Sequence, residues 1–340
     1  MLFDRTVRWG ICGAGSVVRR WIKGARQVRH TGITAIASGT KESAAAAAAE
    51  LGIPEVLSFE EMAARKDIDV IYVAVPNTLH KELAVRALRA GKHVLVEKPA
   101  AVTASEFREM TAEAEKSGCF LMEAMWTRFF PVMQQIRKCI DSGEIGSVRM
   151  LQSSFGFRAD PSAGNRRLFD PEQAGGSLLD VGVYSLHFAD MIFQEEPVRI
   201  TGLSSFDTDG LHLQVDEQTV CTAQYRGGEL AVMISAVRTA LSGTAWIYGT
   251  KGHMEIPDFW KPSEVRIVSE KGARTVRESV RQRVSGIEDE GYQYEIAHVN
   301  DCIRKGLTES PVMTWEKSIS VLNLCDRLRE ESSRGKHFPT

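Results

Sequence analysis

Val7-Arg8-Trp9-Gly10-Ile11-Cys12-Gly13-Ala14-Gly15 is an apolar run that ends in glycines. Such a run reads as a buried strand stopping in a tight turn. Residues 16–27 follow with helical spacing at Val17, Trp21 and Ile22. Strand, glycine turn and helix open a parallel α/β sheet, and the next hundred residues repeat the pattern. Strands are expected at 33–37, 67–75, 94–96 and 119–122, and helices at Lys41–Leu51, 78–89 and 103–117. The alanine run from Ala44 to Ala49 has high helix propensity. Gly91 and Gly118 stand where helices stop. Thr103 with Glu106 three residues on is a capping-box pattern. Regular alternation of strand and helix predicts a doubly wound parallel sheet.

After residue 123 the rhythm changes. A helix over 129–140 leads to a long alternating strand at 148–157. Gly227-Gly228 between the segments 211–225 and 229–237 is a hairpin signal. Short strands are expected at 245–248, 253–256 and 265–268, and a helix over 315–331. This second part reads as an α+β domain with a large, mostly antiparallel open sheet.

The 340 residues favour two domains over one. Hydrophobic residues make up 43% and charged residues 25%, an ordinary globular profile. The net charge of −2 comes from interspersed acids and bases, so neither nucleic acid nor an anionic membrane is expected as a partner. The first nine residues hold no apolar core of a secretory signal, and no run approaches the ~18 apolar residues of a membrane span. Six scattered cysteines without a Cys-x-x-Cys read as reduced apolar filler in a cytoplasmic protein. The eight histidines show no metal-ligand spacing, so no metal is expected.

Gly13 and Gly15 let the backbone approach a pyrophosphate, and the helix start at Ser16 and Val17 offers free N–H groups to it. The third position of the dinucleotide pattern is Val18 rather than a small residue, so the context of strand before and helix after carries the reading. The second strand ends in Ala37-Ser38-Gly39-Thr40-Lys41, with no carboxylate before Glu42. The hydroxyls of Ser38 and Thr40 and the Lys41 ammonium suit a 2′-phosphate, so NADP is expected, with NAD left open. The plainer alternative is a helix start with a solvated Lys41. Further on, Gly91-Lys92-His93-Val94-Leu95-Val96 leads into Glu97-Lys98-Pro99. A lysine just past a buried strand sits at the carboxyl edge of the sheet, where ligands bind. A nucleotide site and a lysine at one sheet edge suggest hydride chemistry.

Four motifs in this order resemble the glucose–fructose oxidoreductase/inositol dehydrogenase/MocA-like family. They are Gly10-Ile11-x-Gly13-x-Gly15, Ala74-Val75-Pro76-Asn77-x-x-His80, Gly91-Lys92-His93-Val94-x-x-Glu97-Lys98-Pro99 and Gly175-Gly176-Ser177-x-x-Asp180-x-Gly182-x-Tyr184. The stretches from Met122 to Phe129, Gly249-Thr250-Lys251-Gly252 and Glu309-Ser310-Pro311-Val312 are similar to the dihydrodiol and D-xylose dehydrogenase branch. The resemblance implies a dinucleotide-binding Rossmann domain over 1–123. The change of rhythm after residue 123 sets a substrate-binding domain over 124–340, with the C-terminal helix expected to pack back toward the first; Val220, Val232 and Ile234 lie on strands where helices hide only one side of the sheet, so dimerisation is expected there. Gly13, Gly15, Ser16, Val17, Ser38, Thr40, Lys41, Val75, Pro76, Asn77, His80, Glu97, Lys98, Trp126 and Arg128 would line the cofactor groove. Asp180 and Tyr184 would face substrate, with Trp126, Phe155 and Trp260 as apolar walls. The Lys98-Pro99 bond is a candidate cis peptide. Gly39 stands where the family commonly has an arginine for the 2′-phosphate.

Hydride leaves a carbinol carbon only as its hydroxyl proton departs, so a general base is needed for oxidation. Tyr184 lies one helical turn after Asp180, so both are expected on one face. A phenol of pKa ~10 is a poor base unless a nearby ammonium stabilises the phenolate; Lys98 would supply that charge. Whether Lys98 or Tyr184 moves the proton stays open, and Asp180 would orient Lys98 or a second hydroxyl. The plainer alternatives are a core tyrosine, an aspartate capping a helix over 181–193 and a packed His187; Arg166 and Arg167 would either grip substrate or, in the plainer reading, stand in a solvated loop. The expected function is an NADP-dependent oxidoreductase acting on a cyclic sugar or trans-dihydrodiol as a homodimer. The alternatives are a catalytically silent dinucleotide sensor or co-repressor and a glucose–fructose oxidoreductase-like enzyme with non-dissociating cofactor. The latter carries a secretory signal and an N-terminal arm, neither of which is expected here.

Overall fold

The computed structural model describes residues 5–162, 166–206, 214–277 and 291–334. The chain divides into two compact units, Met1–Phe129 with Val280–Ile319, and Phe130–Ser279 with Ser320–Thr340.

The first unit alternates β1 (Val7–Cys12), α1 (Ser16–Ala25), β2 (Thr31–Ala37), α2 (Lys41–Leu51), β3 (Glu55–Val56), α3 (Phe59–Ala64) and β4 (Val70–Val73). It continues with α4 (His80–Arg89), β5 (His93–Glu97), α5 (Ala104–Ser117) and β6 (Leu121–Ala124). All neighbouring strands run parallel, in the order β3-β2-β1-β4-β5-β6. Strands covered on both faces are apolar throughout, and Val70–Val73 is buried at every position. In this core Trp21 stacks on Tyr72 with ring centroids 4.5 Å apart, and Trp9 meets Trp21 edge-on at 4.8 Å.

Some boundaries differ from the sequence expectation. β4 is only four residues long, and α4 is preceded by a 3-10 turn, Asn77–Leu79. β6 starts two residues later than expected. The Cys119 amide still bonds back to Ala114 of α5, and register with β5 begins at Val94 opposite Leu121. Thr103 caps α5, accepting from the Glu106 amide at 3.2 Å, but the Glu106 carboxylate accepts from Val102 rather than from Thr103.

The second unit contains α6 (Pro131–Asp141), β7 (Val148–Gly156), α7 (Arg166–Phe169), a π-helical segment Leu178–Gly182 and α8 (Val183–Phe193). The sheet is completed by β8 (Arg199–Phe206), β9 (Asp216–Gln224), β10 (Leu230–Ala236), β11 (Ala245–Gly249), β12 (Gly252–Ile256), β13 (Glu264–Ser269) and β14 (Gly272–Arg277). Its order is β14-β13-β12-β11-β7-β10-β9-β8, antiparallel except for the β7–β10 pair. The hairpin at Gly227-Gly228 joins β9 to β10, with Gly228 at φ +87°. β9 starts at Asp216, and residues 211–213 of the expected strand lie outside the described residues.

One face of this sheet is buried through Leu151, Ser153, Cys221, Ala223 and Met233. Alternate positions of the same strands, Met150, Val220 and Leu230, are exposed on the other face, beside Leu203 of β8. Two helices come from the far end of the chain. α9 (Tyr292–Arg304) lies in the first unit, where a Cβ on Gly24 of α1 would come within 2.7 Å of Tyr292 Cβ. α10 (Trp315–Arg334) begins there, with the Trp315 indole donating to the Leu121 carbonyl at 2.9 Å.

Candidate active site

The glycine loop after β1 is shaped for a close backbone approach. Gly13 sits at φ +129°, and a Cβ there would fall 2.0 Å from the Ala74 carbonyl oxygen. Gly15 precedes α1 without any side-chain cap, and a Cβ on it would meet nothing within 4 Å. The helix start at Ser16 and Val17 therefore leaves amide donors open to an anion. Arg19 braces the loop from behind, donating to the Ala14 carbonyl at 2.8 Å and pairing with Glu50. A dinucleotide pyrophosphate fits this cradle.

At the end of β2, Thr40 caps α2 by accepting from the Ser43 amide at 3.2 Å. The Ser43 hydroxyl donates to Ser38 at 2.7 Å. Thr40 thus caps the helix, and Ser38 and Thr40 both accept from Ser43 with their own O–H groups left to donate. Lys41 is exposed and makes no hydrogen bond or ion pair among the described residues.

The Lys98 turn is held by three buried side chains. The Glu97 carboxylate accepts from the Lys98 amide at 3.2 Å and from the Tyr72 hydroxyl. Burial pushes the Glu97 carboxyl up, against the downward pull of Tyr72 and Lys98. His80 sits with its ring nitrogens 2.9 Å from the Pro99 and Val75 carbonyl oxygens, tying the Val75-Pro76-Asn77 turn to the lysine turn. Glu123 accepts from the Ala100 amide at 3.1 Å and from the Ser318 hydroxyl at 2.7 Å. The Lys98-Pro99 peptide is cis. Trp126 and Arg128 are buried just beyond β6, Trp126 stacking on Tyr292 with centroids 4.3 Å apart.

In the second unit, the Gly175-Gly176-Ser177 motif has a steric reason at each position. A Cβ on Gly175 would lie 2.5 Å from the Leu168 carbonyl oxygen, and one on Gly176 2.1 Å from Asp216 Oδ1, with φ at +108°. The Ser177 hydroxyl and the Leu178 amide both donate to Asp216 at 2.7 Å. A half-buried aspartate thus caps the segment that carries Asp180. That segment is π-helical, not the regular α-helix expected from residue 181, and short π segments recur at functional sites. The extra residue changes the angle between Asp180 and Tyr184 from that of one α-turn.

Asp180 pairs with Arg167, Oδ1 to Nη2 at 3.0 Å. Arg167 is thus engaged, not part of a merely solvated loop. Tyr184 is 8% exposed, and Phe155 meets it edge-on with centroids 5.5 Å apart. Phe155 also stacks on Trp260 at 4.1 Å and 6°. Gly243 makes room for that indole, since a Cβ would come within 2.4 Å of it. Phe155, Tyr184 and Trp260 form one aromatic wall. His187 is buried, as packing requires.

Sequence reasoning did not find Tyr72, Glu123, Ser318, Asp216 or Gly243. Only Tyr72, a lone phenol within an apolar strand, carried a local signal. Among the described residues no three His, Cys, Asp or Glu side chains gather as metal ligands. No helix of the described residues is long and apolar enough to cross a membrane.

Residues 7–125 match the model of the GFO/IDH/MocA oxidoreductase family with its NAD-binding Rossmann fold, and residues 133–255 match the C-terminal domain of the same family. The chain is 35% identical over 330 residues to a trans-1,2-dihydrobenzene-1,2-diol dehydrogenase of Xenopus tropicalis, covering 95% of this chain and 97% of that protein. The chain belongs to the GFO/IDH/MocA oxidoreductase family. The dihydrodiol dehydrogenase of Mus musculus is 33% identical, with 98% of each chain covered. Among solved structures, an aldose-aldose oxidoreductase from Caulobacter crescentus complexed with glycerol superimposes with TM-score 0.83 at 26% identity. It covers 98% of this chain and 99% of that one. A 3-ketoreductase from Actinomadura kijaniata, solved with NADP and TDP-benzene, gives TM-score 0.83 at 25% identity over 96% and 98% of the two chains.

Proposed function

We propose that this chain is an NADP-dependent dehydrogenase or reductase of a cyclic sugar or trans-dihydrodiol, acting at one carbinol or carbonyl carbon. The observation that carries the reading is the Lys98 turn, which Glu97, His80 and Glu123 hold at the carboxyl edge of the parallel sheet. The first unit binds the dinucleotide, and the second binds substrate and dimerises. Gly13, Gly15 and the amides of Ser16 and Val17 hold the pyrophosphate. Lys41 meets the 2′-phosphate. The nicotinamide, when bound, accepts or gives the hydride.

In oxidation, the substrate hydroxyl proton passes to the Tyr184 phenolate oxygen or to the Lys98 amine; in reduction it returns from the same group. Asp180 accepts a hydrogen bond from a second substrate hydroxyl. Phe155 and Trp260 cover the apolar ring face. The six free cysteines are all buried, which suits a reducing cytoplasmic compartment. NADPH formation with a panel of aldoses and trans-dihydrodiols tests the assignment. Lys98→Met and Tyr184→Phe should each lower kcat by about 10² to 10⁴-fold while NADP still binds. The double variant should fall far short of additive loss. Full turnover by Tyr184→Phe on the best substrate would move the proton-transfer role to Lys98.

A further inference from the structure

Arg167 stands on α7, a helix of four residues that packing and backbone bonds fix from both sides. Leu168 and Phe169 anchor it in a cluster with Ala159, Val181, Val215 and Val237, against which Phe155 packs. The Leu168 carbonyl accepts from the Gly176 amide at 2.8 Å, and a Cβ on Gly175 would strike the Arg167 carbonyl oxygen at 2.7 Å. The turn that launches Asp180 therefore also grips the backbone of Arg167. Phe155 joins that body to the aromatic wall.

The guanidinium uses one nitrogen on Asp180 and makes no other hydrogen bond among the described residues. Its side chain is 40% exposed, against 15% for Asp180. A surface ion pair of this kind contributes little stability. Its geometry, however, sets fixed N–H donors beside a carboxylate acceptor. Two neighbouring hydroxyls on a ring need that combination: one donates to the carboxylate, and the other accepts from the guanidinium.

We propose that Arg167 is a specificity-determining residue: paired with Asp180, it reads the hydroxyl next to the reacting carbinol and commits the site to vicinal hydroxyls of a ring. The inference rests on the dehydrogenase reading above. The test compares kcat/KM for two substrate pairs that differ only in the neighbouring hydroxyl. One is D-glucose against 2-deoxy-D-glucose; the other is trans-cyclohexane-1,2-diol against cyclohexanol.

The parent should prefer the vicinal member by about 10 to 100-fold, the range for a hydrogen bond to a charged group. Arg167→Met should bring that ratio close to one, mainly by loss on the vicinal member, and Arg167→Lys should restore part of it. A variant in which both members fall together, with the ratio kept, overturns the inference and leaves Arg167 a merely structural brace. A parent that turns over vicinal and deoxy members equally overturns it as well. A parent that oxidises no member of either pair or of the wider aldose and dihydrodiol panel overturns the functional reading itself.

Discussion

Glu295 is the most unusual side chain of the first unit. It lies on α9, fully buried, and neither carboxyl oxygen has a hydrogen-bond partner among the described residues. Burial, with buried Glu97 adding to it, pushes its carboxyl well above the usual range. In the unfolded chain a glutamate loses its proton above pH ~4.3, whereas the folded chain keeps it. The folded state then binds more protons, so stability falls as pH rises through that window, by about 1.4 kcal/mol per pH unit until the folded group ionises. Glu295→Gln removes this dependence. The variant should match the parent in Tm near pH 4 and exceed it increasingly as the pH rises above that. A Tm difference that does not change with pH would mean that Glu295 is charged in the native state.

At the scale of the element, the start of α2 is the expected determinant of cofactor choice. The Ser38 and Thr40 oxygens accept from Ser43, so their own O–H groups and the exposed Lys41 ammonium are the expected donors for a 2′-phosphate, Lys41 the charged one. A charge-assisted bond of this kind contributes roughly 1.5–3 kcal/mol, tenfold or more in affinity. Lys41→Ala should weaken NADP by that factor and leave NAD nearly unchanged in equilibrium titrations. Equal loss for both would remove Lys41 from the 2′-phosphate site. The π-helical segment makes a similar point in the second unit. Asp180 and Tyr184 are adjacent in the motif, but their relative angle is set by the Asp216 cap and the Gly176 contact, which arrive from β9.

At the scale of the whole molecule, the open face of the eight-stranded sheet calls for a cover. Leu203 is 78% exposed, and Val220, Leu230 and Met150 lie exposed on neighbouring strands. Val232 and Ile234 pair with Thr222 and Val220 on the same face. Exposed apolar patches on an open sheet recur at protein–protein interfaces. A second copy of the chain is the expected occupant, giving a particle of roughly twice the 37.7 kDa chain at micromolar concentration in light scattering. Val220→Glu with Val232→Glu should yield monomers that retain the fold. A monomeric parent would refute the dimer.

The residues alone determined the parallel sheet, the open antiparallel sheet and the motif positions, because hydrophobic periodicity and glycine placement are local signals. Gly13 was legible because no side chain fits against the Ala74 carbonyl, and the hairpin because Gly228 takes positive φ. Strand ends were less legible: β6 starts only where register with Val94 begins. What supports each candidate residue was decided by tertiary structure. Tyr72, Glu123 and Ser318 reach the Lys98 turn through segments up to about two hundred residues apart, and no local pattern records such a meeting. Arg167 read as a loop residue because its partner Asp180 and the Gly175-Gly176 turn come together only once the cluster around Leu168 and Phe169 has formed. Sequence periodicity sets which residues are buried. Long-range packing sets which buried and half-buried polar groups meet, and the chemistry of the site depends on those meetings.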